Sequence, residues 1–255
     1  MEDNLIIYGR NAVLETLRAN RPVNALFVAN DVKATKGLGE HIAAAKKAGV
    51  IIKAVTPGKL DELSDGNRHG GIVAALSAVE YATVEDILGC LDESGSSTRV
   101  RGILIADGIE DPHNLGALIR TAEAAGFCGV IIPKRRSAAV TSAVYAASAG
   151  AAAHMKIARV TNLTDAIKTL KDNGVWVYGA ESDGVAYTEV DFSGSRGVAL
   201  VIGSEGQGLS RLVRENCDVI VSVPMFGEIN SLNASVCGGV LMFSIIQGDW
   251  RSKKA

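Results

Sequence analysis

The 255-residue sequence has no apolar run approaching the roughly 18 residues needed to cross a bilayer, so no membrane span is expected. Its four cysteines (Cys90, Cys128, Cys217 and Cys237) show neither CxxC nor His-x-x-Cys spacing, which argues against a metal cluster or a disulfide scaffold. The acidic start Met1-Glu2-Asp3-Asn4 lacks a signal-peptide pattern, and a soluble cytoplasmic protein is expected. His41, His69, His113 and His154 have no metal-ligand spacing, and no repeat of fixed period is visible. Charge of one sign is lacking too: 26 Lys+Arg stand against 28 Asp+Glu, so any affinity for nucleic acid must come from a local site. What is present is a 47% hydrophobic share, enough for a real core, which excludes a disordered chain.

Charge by segment is more informative than the total. Residues 1–78 carry 10 basic and 8 acidic side chains, residues 79–98 carry none basic and 5 acidic, and residues 99–255 carry 16 and 15. The middle stretch ends in a Ser/Gly run, typical of a flexible connector. A first domain over 1–78, a linker over 79–98 (with a short helix at 84–91) and a second domain over 99–255 are therefore expected. In the first, helical spacing at 9–19 and 40–48 and a Pro-opened helix at Thr56-Pro57 alternate with strands at 25–29, 50–55 and 71–76. In the second, apolar strands at 102–106, 129–132, 156–160, 175–179, 198–202 and 219–223 alternate with helices, notably 115–125 and 163–172. Both domains read as α/β, the second with a mostly parallel sheet covered on both faces. The Ala/Ser-rich stretch 137–155 reads as a helix whose small side chains allow close packing.

Three stretches lie at carboxyl ends of predicted strands, where open α/β sheets bind ligands. In the first, Asp111-Pro112 forces an extended entry, Asn114 sits where a helix N-cap belongs, and Arg120 follows on the helix. The plain structural roles are a cap for Asn114 and an ion pair with Glu123 for Arg120. The second, Gly203-Ser-Glu205-Gly206-Gln-Gly208, allows a sharp turn and close approach to a ligand. It matches neither the dinucleotide fingerprint nor the P-loop, and Glu205 repels phosphate, so a neutral or cationic ligand is expected. In the third, a strand ends at Pro224, and Ser231 or Asn233 caps a final helix that contains Gly238 and Gly239. Those glycines cost about 1 kcal/mol each relative to Ala, which implies close backbone packing against another element or another subunit.

Together the three stretches resemble the SpoU/TrmH family of RNA ribose 2′-O-methyltransferases of the SPOUT class, closest to bacterial enzymes acting on a guanosine of 23S ribosomal RNA. Residues 114–120, 203–209 and 223–235 look like the family's three motifs in order, and the first domain looks like an L30e-like substrate-binding domain. The resemblance implies a trefoil knot over roughly 198–247, an exception to the unknotted rule. It implies S-adenosyl-L-methionine held by Ala180, Ile202, Gly203, Gly206, Val223, Met225, Ser231 and Leu232, a homodimer, and structured RNA as partner. It further implies catalytic roles for Arg120, Asn114, Glu205, Ser231 and Asn233. A guanidinium gives up a proton reluctantly, so Arg120 is expected as an electrostatic clamp rather than a base. Arg10, Lys33, Lys36, Arg68 and His69, at predicted turns and element ends, are the candidates for RNA contact. The competing readings are a tRNA methyltransferase and a non-catalytic RNA-binding protein on the same scaffold.

Overall fold

The computed structural model describes residues 5–31, 35–93, 101–192 and 196–247. The chain folds as two units, Met1–Glu80 with Val140–His154, and Tyr81–Ala139 with Met155–Ala255. In the first unit the elements run β1 (Leu5–Tyr8), α1 (Arg10–Arg18), β2 (Val23–Ala29), α2 (Gly39–Lys47), β3 (Ile51–Val55), α3 (Pro57–Leu63) and β4 (Ile72–Leu76). The sheet order is β1-β4-β2-β3, with β4 antiparallel to both neighbours and β2 parallel to β3. All five residues of β4 are buried, as the unbroken Ile-Val-Ala-Ala-Leu run requires of a central strand. Helix α1 buries Ala12, Val13, Thr16 and Leu17 on one face. Burying Val and Leu there contributes about 1.5–3 kcal/mol each, and the Thr16 hydroxyl donates to the Ala12 carbonyl at 2.7 Å. Thr56 caps α3 by accepting from the Lys59 N–H, with Pro57 at its first position.

The first unit also takes in a piece of chain from the middle of the sequence. Helix α6 (Ser142–Ala147) and a 3-10 turn at Ala151–Ala153 pack on α1 and β1. Small side chains make this possible: a Cβ on Gly150 (φ +94°) would lie 2.6 Å from Glu15 Cβ and 3.1 Å from Ala12 Cα. Arg21 Nε donates to the Ala153 carbonyl at 2.7 Å, and His154 Nε2 lies 2.9 Å from Glu15 Oε2. Burial pushes the Glu15 carboxyl up, but hydrogen bonds from His154 and Arg18 outweigh it and hold the group below its ordinary value. The close packing expected for 137–155 is found here, but the expected helix is confined to Ser142–Ala147 and the 3-10 turn after it. The expected boundaries are corrected by it, because Val140–His154 falls inside the range 99–255 yet completes the first unit.

The second unit runs α4 (Val84–Glu93), β5 (Gly102–Asp107), α5 (Pro112–Ala124), β6 (Gly129–Pro133), β7 (Lys156–Val160), α7 (Leu163–Asp172), β8 (Val175–Ala186), β9 (Gly197–Gly203), α8 (Arg211–Asn216), β10 (Val219–Ser222) and α9 (Ala234–Ile245). Its six strands are all parallel, in the order β10-β8-β9-β5-β6-β7. From β5 the chain builds outward through β6 and β7, then crosses to β8 and returns to β9 beside β5. The strand order reverses between β5 and β9, which is where an open α/β sheet forms its crevice. Asp107 pairs in register with Gly203 at that point. Leu163, Ala166, Ile167 and Leu170 give α7 its buried face. On α9, the expectation of close packing holds at Gly238, where a Cβ would lie 2.5 Å from Leu118 Cδ2 of α5. At Gly239 the nearest side-chain atom would be 3.8 Å away, so no element of this chain requires that glycine.

Strand β8 departs from the short element expected at 175–179. Its pairing with β10 jumps from Gly179 to Val185, so residues 180–184 leave the ladder. No described helix is long and apolar enough to cross a membrane. Among the described residues no group of three or more His, Cys, Asp or Glu is placed to hold a metal ion, and the four cysteines are free.

Candidate active site

The site is built where the ends of β5, β8 and β9 meet the starts of α5 and α9. Asp111 caps α5, accepting from the N–H of His113 at 3.0 Å and of Asn114 at 3.3 Å, with Pro112 at the first helical position. The expected cap was Asn114. Because Asp111 satisfies the Asn114 N–H, the Asn114 side chain is released for other work. Its Nδ2 donates to Glu205 Oε1 at 2.9 Å, and its Oδ1 accepts from Asn233 Nδ2 at 2.9 Å. Asn233 also donates to Glu205 Oε1, in a short contact, and the Ala234 N–H reaches the same oxygen at 3.3 Å. Of the two expected caps for the last helix, Asn233 is the one used: its Oδ1 accepts from the N–H of Ser235 and Val236. Three side chains from distant parts of the chain thus form one node, while no described residue bonds Glu205 Oε2.

The glycine-rich turn is held by backbone and by two carboxylates. Ser204 and Gly208 exchange N–H···O bonds of 3.1 and 3.0 Å, and Gly206 and Gly208 have φ of +85° and +66°, a region costly for other residues. A Cβ on Gly203 would lie 2.3 Å from the Gly208 carbonyl carbon, so the strand end and the turn touch through bare backbone. Glu181, carried over the turn by the displaced residues 180–184, accepts from the Leu209 N–H at 2.6 Å. Asp107 accepts from the Ser210 N–H at 2.7 Å.

Two clefts adjoin the node. The first, about 540 Å³, is lined by Ala180, Ile202, Gly203 and Gly206 from the sheet edge and turn, and by Val223, Met225, Ser231 and Leu232 from the loop before α9. Glu205 and Asn233 line it as well, and no Lys, Arg or His does. Glu181 and Glu205 are its charged groups, and burial raises the pKa of the Cys237 thiol on its wall, favouring the protonated form. The second cleft, about 830 Å³, shares Ser204, Glu205 and Gly208 with the first and adds Asn114, Arg135, Arg136 and Arg211.

Arg120 is not brought to the node. It lies exposed on α5, lines neither cleft, and makes no ion pair with Glu123 or any other described residue. Six residues beyond Asn114 on a 3.6-residue helix, it projects from a different face. In the first unit, Arg10 Nε donates to the Gly70 carbonyl at 2.8 Å, and Gly37 and Gly70 both lie against the Arg10 side chain. His69 has both ring nitrogens engaged, Nδ1 accepting from the Gly71 N–H of its own turn and Nε2 meeting Asp61 Oδ1 of α3, each at 3.0 Å. Lys36 and Arg68 are exposed, and Lys33 lies outside the described residues. Sequence reasoning missed Asp107, Glu181 and the arginines of the second cleft. The signal for Asp107 and Glu181 was available, since each is the first carboxylate after an expected apolar strand, 102–106 and 175–179.

Residues 101–243 match the model of the SpoU rRNA methylase family, and residues 6–82 match the model for RNA 2′-O ribose methyltransferase substrate binding. A Staphylococcus saprophyticus protein named for the TrmH family of tRNA/rRNA methyltransferases is 42% identical over 247 residues, 96% of each chain. The YacO protein of Bacillus subtilis, named for the same family, is 42% identical over 243 residues, 94% of each chain. In fold, the chain is similar to an AdoMet-bound rRNA methyltransferase from Sinorhizobium meliloti (TM-score 0.77, 22% identity, 96% of this chain and 87% of that one). It is also similar in fold to the SpoU methyltransferase AviRb of Streptomyces viridochromogenes, solved with AdoMet (TM-score 0.75, 21% identity, 97% and 91%). With its second unit matched almost end to end and its relatives aligned over nearly their whole length, the chain belongs to the SpoU/TrmH family of RNA methyltransferases.

Proposed function

We propose that this chain transfers a methyl group from S-adenosylmethionine to a ribose 2′-hydroxyl of structured RNA, with a guanosine of 23S ribosomal RNA as the target. The observation that carries the reading is the position of the Asn114–Glu205–Asn233 node between a cleft without basic side chains and a cleft with three arginines. S-adenosylmethionine, when bound, supplies a methyl group on a cationic sulfur that departs as a neutral thioether. The first cleft fits it: Val223, Met225 and Leu232 offer apolar surface, and Glu181 and Glu205 favour a positive charge. Ser231, Asn233 and Asn114 orient the ribose and cofactor through hydrogen bonds, so most of the barrier is lowered by alignment and exclusion of water.

Arg120 acts as a clamp on phosphate and on the ribose oxygen as the hydroxyl proton leaves to solvent, since a guanidinium gives up a proton reluctantly and is a poor base. Its exposure in its own chain fits service to the cleft of a second copy. Helix α9 supports a homodimer: Val236 and Phe243 are 52% and 50% exposed, while the Gly238 side packs on α5. The trefoil knot of residues 198–247 belongs to the same reading, as does RNA selection by Arg10, Lys33, Lys36, Arg68 and His69.

Calorimetry should show S-adenosylmethionine binding that survives a chelator, and sedimentation should show a dimer that Phe243→Glu dissociates. Arg120→Ala should abolish transfer and leave cofactor affinity within about threefold. Mapping 2′-O-methyl sites in RNA from cells with and without the gene identifies the target. Loss of a site in transfer RNA instead would favour the tRNA reading that the names of the relatives allow. A folded dimer that binds no cofactor, with or without RNA, would sink the enzymatic reading.

A further inference from the structure

We propose that the larger cleft of the second unit seats the RNA backbone, with Arg135, Arg136 and Arg211 gripping the phosphates that flank the target ribose. The proposal rests on the methyl-transfer reading and assigns the substrate's path at that same site.

Formal charge alone does not suggest it, because Asp107, Glu110, Asp111 and Glu205 line the cleft beside the three arginines. The groups differ in what they still have to offer a ligand. Asp107 is committed to the Ser210 N–H, Asp111 to the start of α5, and Glu205 to Asn114, Asn233 and Ala234. Arg135 and Arg136 are exposed and bond no described residue. Arg211 is 77% exposed on its side chain and holds only Glu215, four residues on, at 2.8 Å. An exposed pair of that kind is worth at most about 1 kcal/mol, so a phosphate can displace it. The carboxylates keep their charge, Glu110 among them, but three of the four have acceptor oxygens already occupied, whereas the arginines keep N–H donors free, in the planar fork that suits phosphate oxygens.

Arg136 adds a second line of argument. Its φ is +55°, a left-handed conformation that costs an L-residue roughly 1–2 kcal/mol and a glycine almost nothing. A long cationic side chain is kept where glycine would be cheaper, on the loop that leaves β6 at the cleft's edge. The rim completes the picture. Ser204, Glu205 and Gly208 border both clefts, so a strand held in the larger one passes beside the node, opposite the cavity that favours a cation. The first unit, with 10 basic and 8 acidic side chains over 1–78, supplies little net attraction of its own. The catalytic unit then contributes a salt-dependent share of RNA binding.

The test uses the full chain, with in-vitro-transcribed 23S ribosomal RNA and bulk transfer RNA as probes. RNA affinity is measured across a potassium chloride series, S-adenosylmethionine affinity by calorimetry, and KM for whichever RNA is methylated. The double variant R135A/R136A should reduce the magnitude of the log K against log salt slope by about 1.4–1.8, at 0.7–0.9 per phosphate contact. It should raise KM for RNA at least tenfold and leave cofactor affinity unchanged, while R135K/R136K restores the slope. Should the alanine pair fold poorly, R135Q/R136G removes the same charge and relieves the backbone. An unchanged slope, or a loss of cofactor affinity in place of the slope change, overturns the proposal. If the unaltered chain binds RNA with arginine-dependent salt sensitivity yet methylates none, the methyl-transfer reading fails while the backbone site stands.

Discussion

Asn114 has one donor group and one acceptor in its side chain, and the node uses both. The amide hands a hydrogen to Glu205 and takes one from Asn233, so it fixes a carboxylate and the start of the last helix relative to each other. A hydrogen bond to a charged group contributes about 1.5–3 kcal/mol. Asn114→Ala should therefore lower the rate of methyl transfer about 10–100-fold while cofactor affinity stays within about threefold. Single-turnover transfer and calorimetry on the same preparation check it; near-normal transfer would mean that Asn233 and Ala234 alone suffice to hold Glu205. At this scale the sequence was informative about identity and misleading about role. Asn114, Glu205 and Asn233 stand out as polar residues at strand ends and helix starts. That Asp111 takes the cap and frees Asn114 depends on where the helix begins, and a Pro at the first position allowed either start. Arg120 was legible as a motif residue, but the face of α5 it occupies shows only in three dimensions.

Elements were legible wherever their burial is uniform. The apolar runs of β5, β6 and β9 appear in the sequence because both faces of a parallel sheet are covered. The extension of β8 past Gly179 was hidden by Glu181, Ser182 and Asp183, which look like a loop because they leave the ladder. The small-residue helix α6 was readable as a close packer, though its partner, α1, was not. That contact gives a sharp test. Gly150→Ala would force a Cβ to 2.6 Å from Glu15 Cβ at a positive φ, and should destabilise the first unit by about 2–4 kcal/mol in denaturant unfolding. A change below about 1 kcal/mol would show that α1 can shift to accept it.

The start of α4 supplies a pH test. The backbone N–H and hydroxyl of Thr83 donate to Asp86 Oδ2 at 2.8 and 2.9 Å, and hold its carboxyl below the ordinary 3.8. A depressed carboxylate pKa stabilises the fold above the unfolded value and ceases to do so as pH falls through the folded one. Asp86→Ala should thus lower the melting temperature at pH 6, with the difference from the parent shrinking below about pH 4. A difference that stays constant down to pH 2.5 would assign the loss to packing.

For the whole molecule, the first unit draws on two separated parts of the sequence, and this bears on any shortened chain. A protein beginning at Thr98 keeps Val140–His154 but loses the α1 and β1 surface that buries Val144 and Tyr145. It should aggregate or melt well below the parent, and replacing 140–154 by a short Gly/Ser linker should restore solubility. Size-exclusion chromatography and thermal melts of the two shortened chains decide it: equal behaviour would mean that the segment is stable alone. The same interleaving has a consequence in time. A ribosome adds about 5–20 residues per second, so on the order of 4–15 s separates the emergence of Glu80 from that of His154. Through that interval the nascent N-terminal unit waits with one side of α1 uncovered, while strands of the second unit are already leaving the tunnel. The two units must mature in overlapping windows, and a chaperone that shields α1 would have its moment between those two residues.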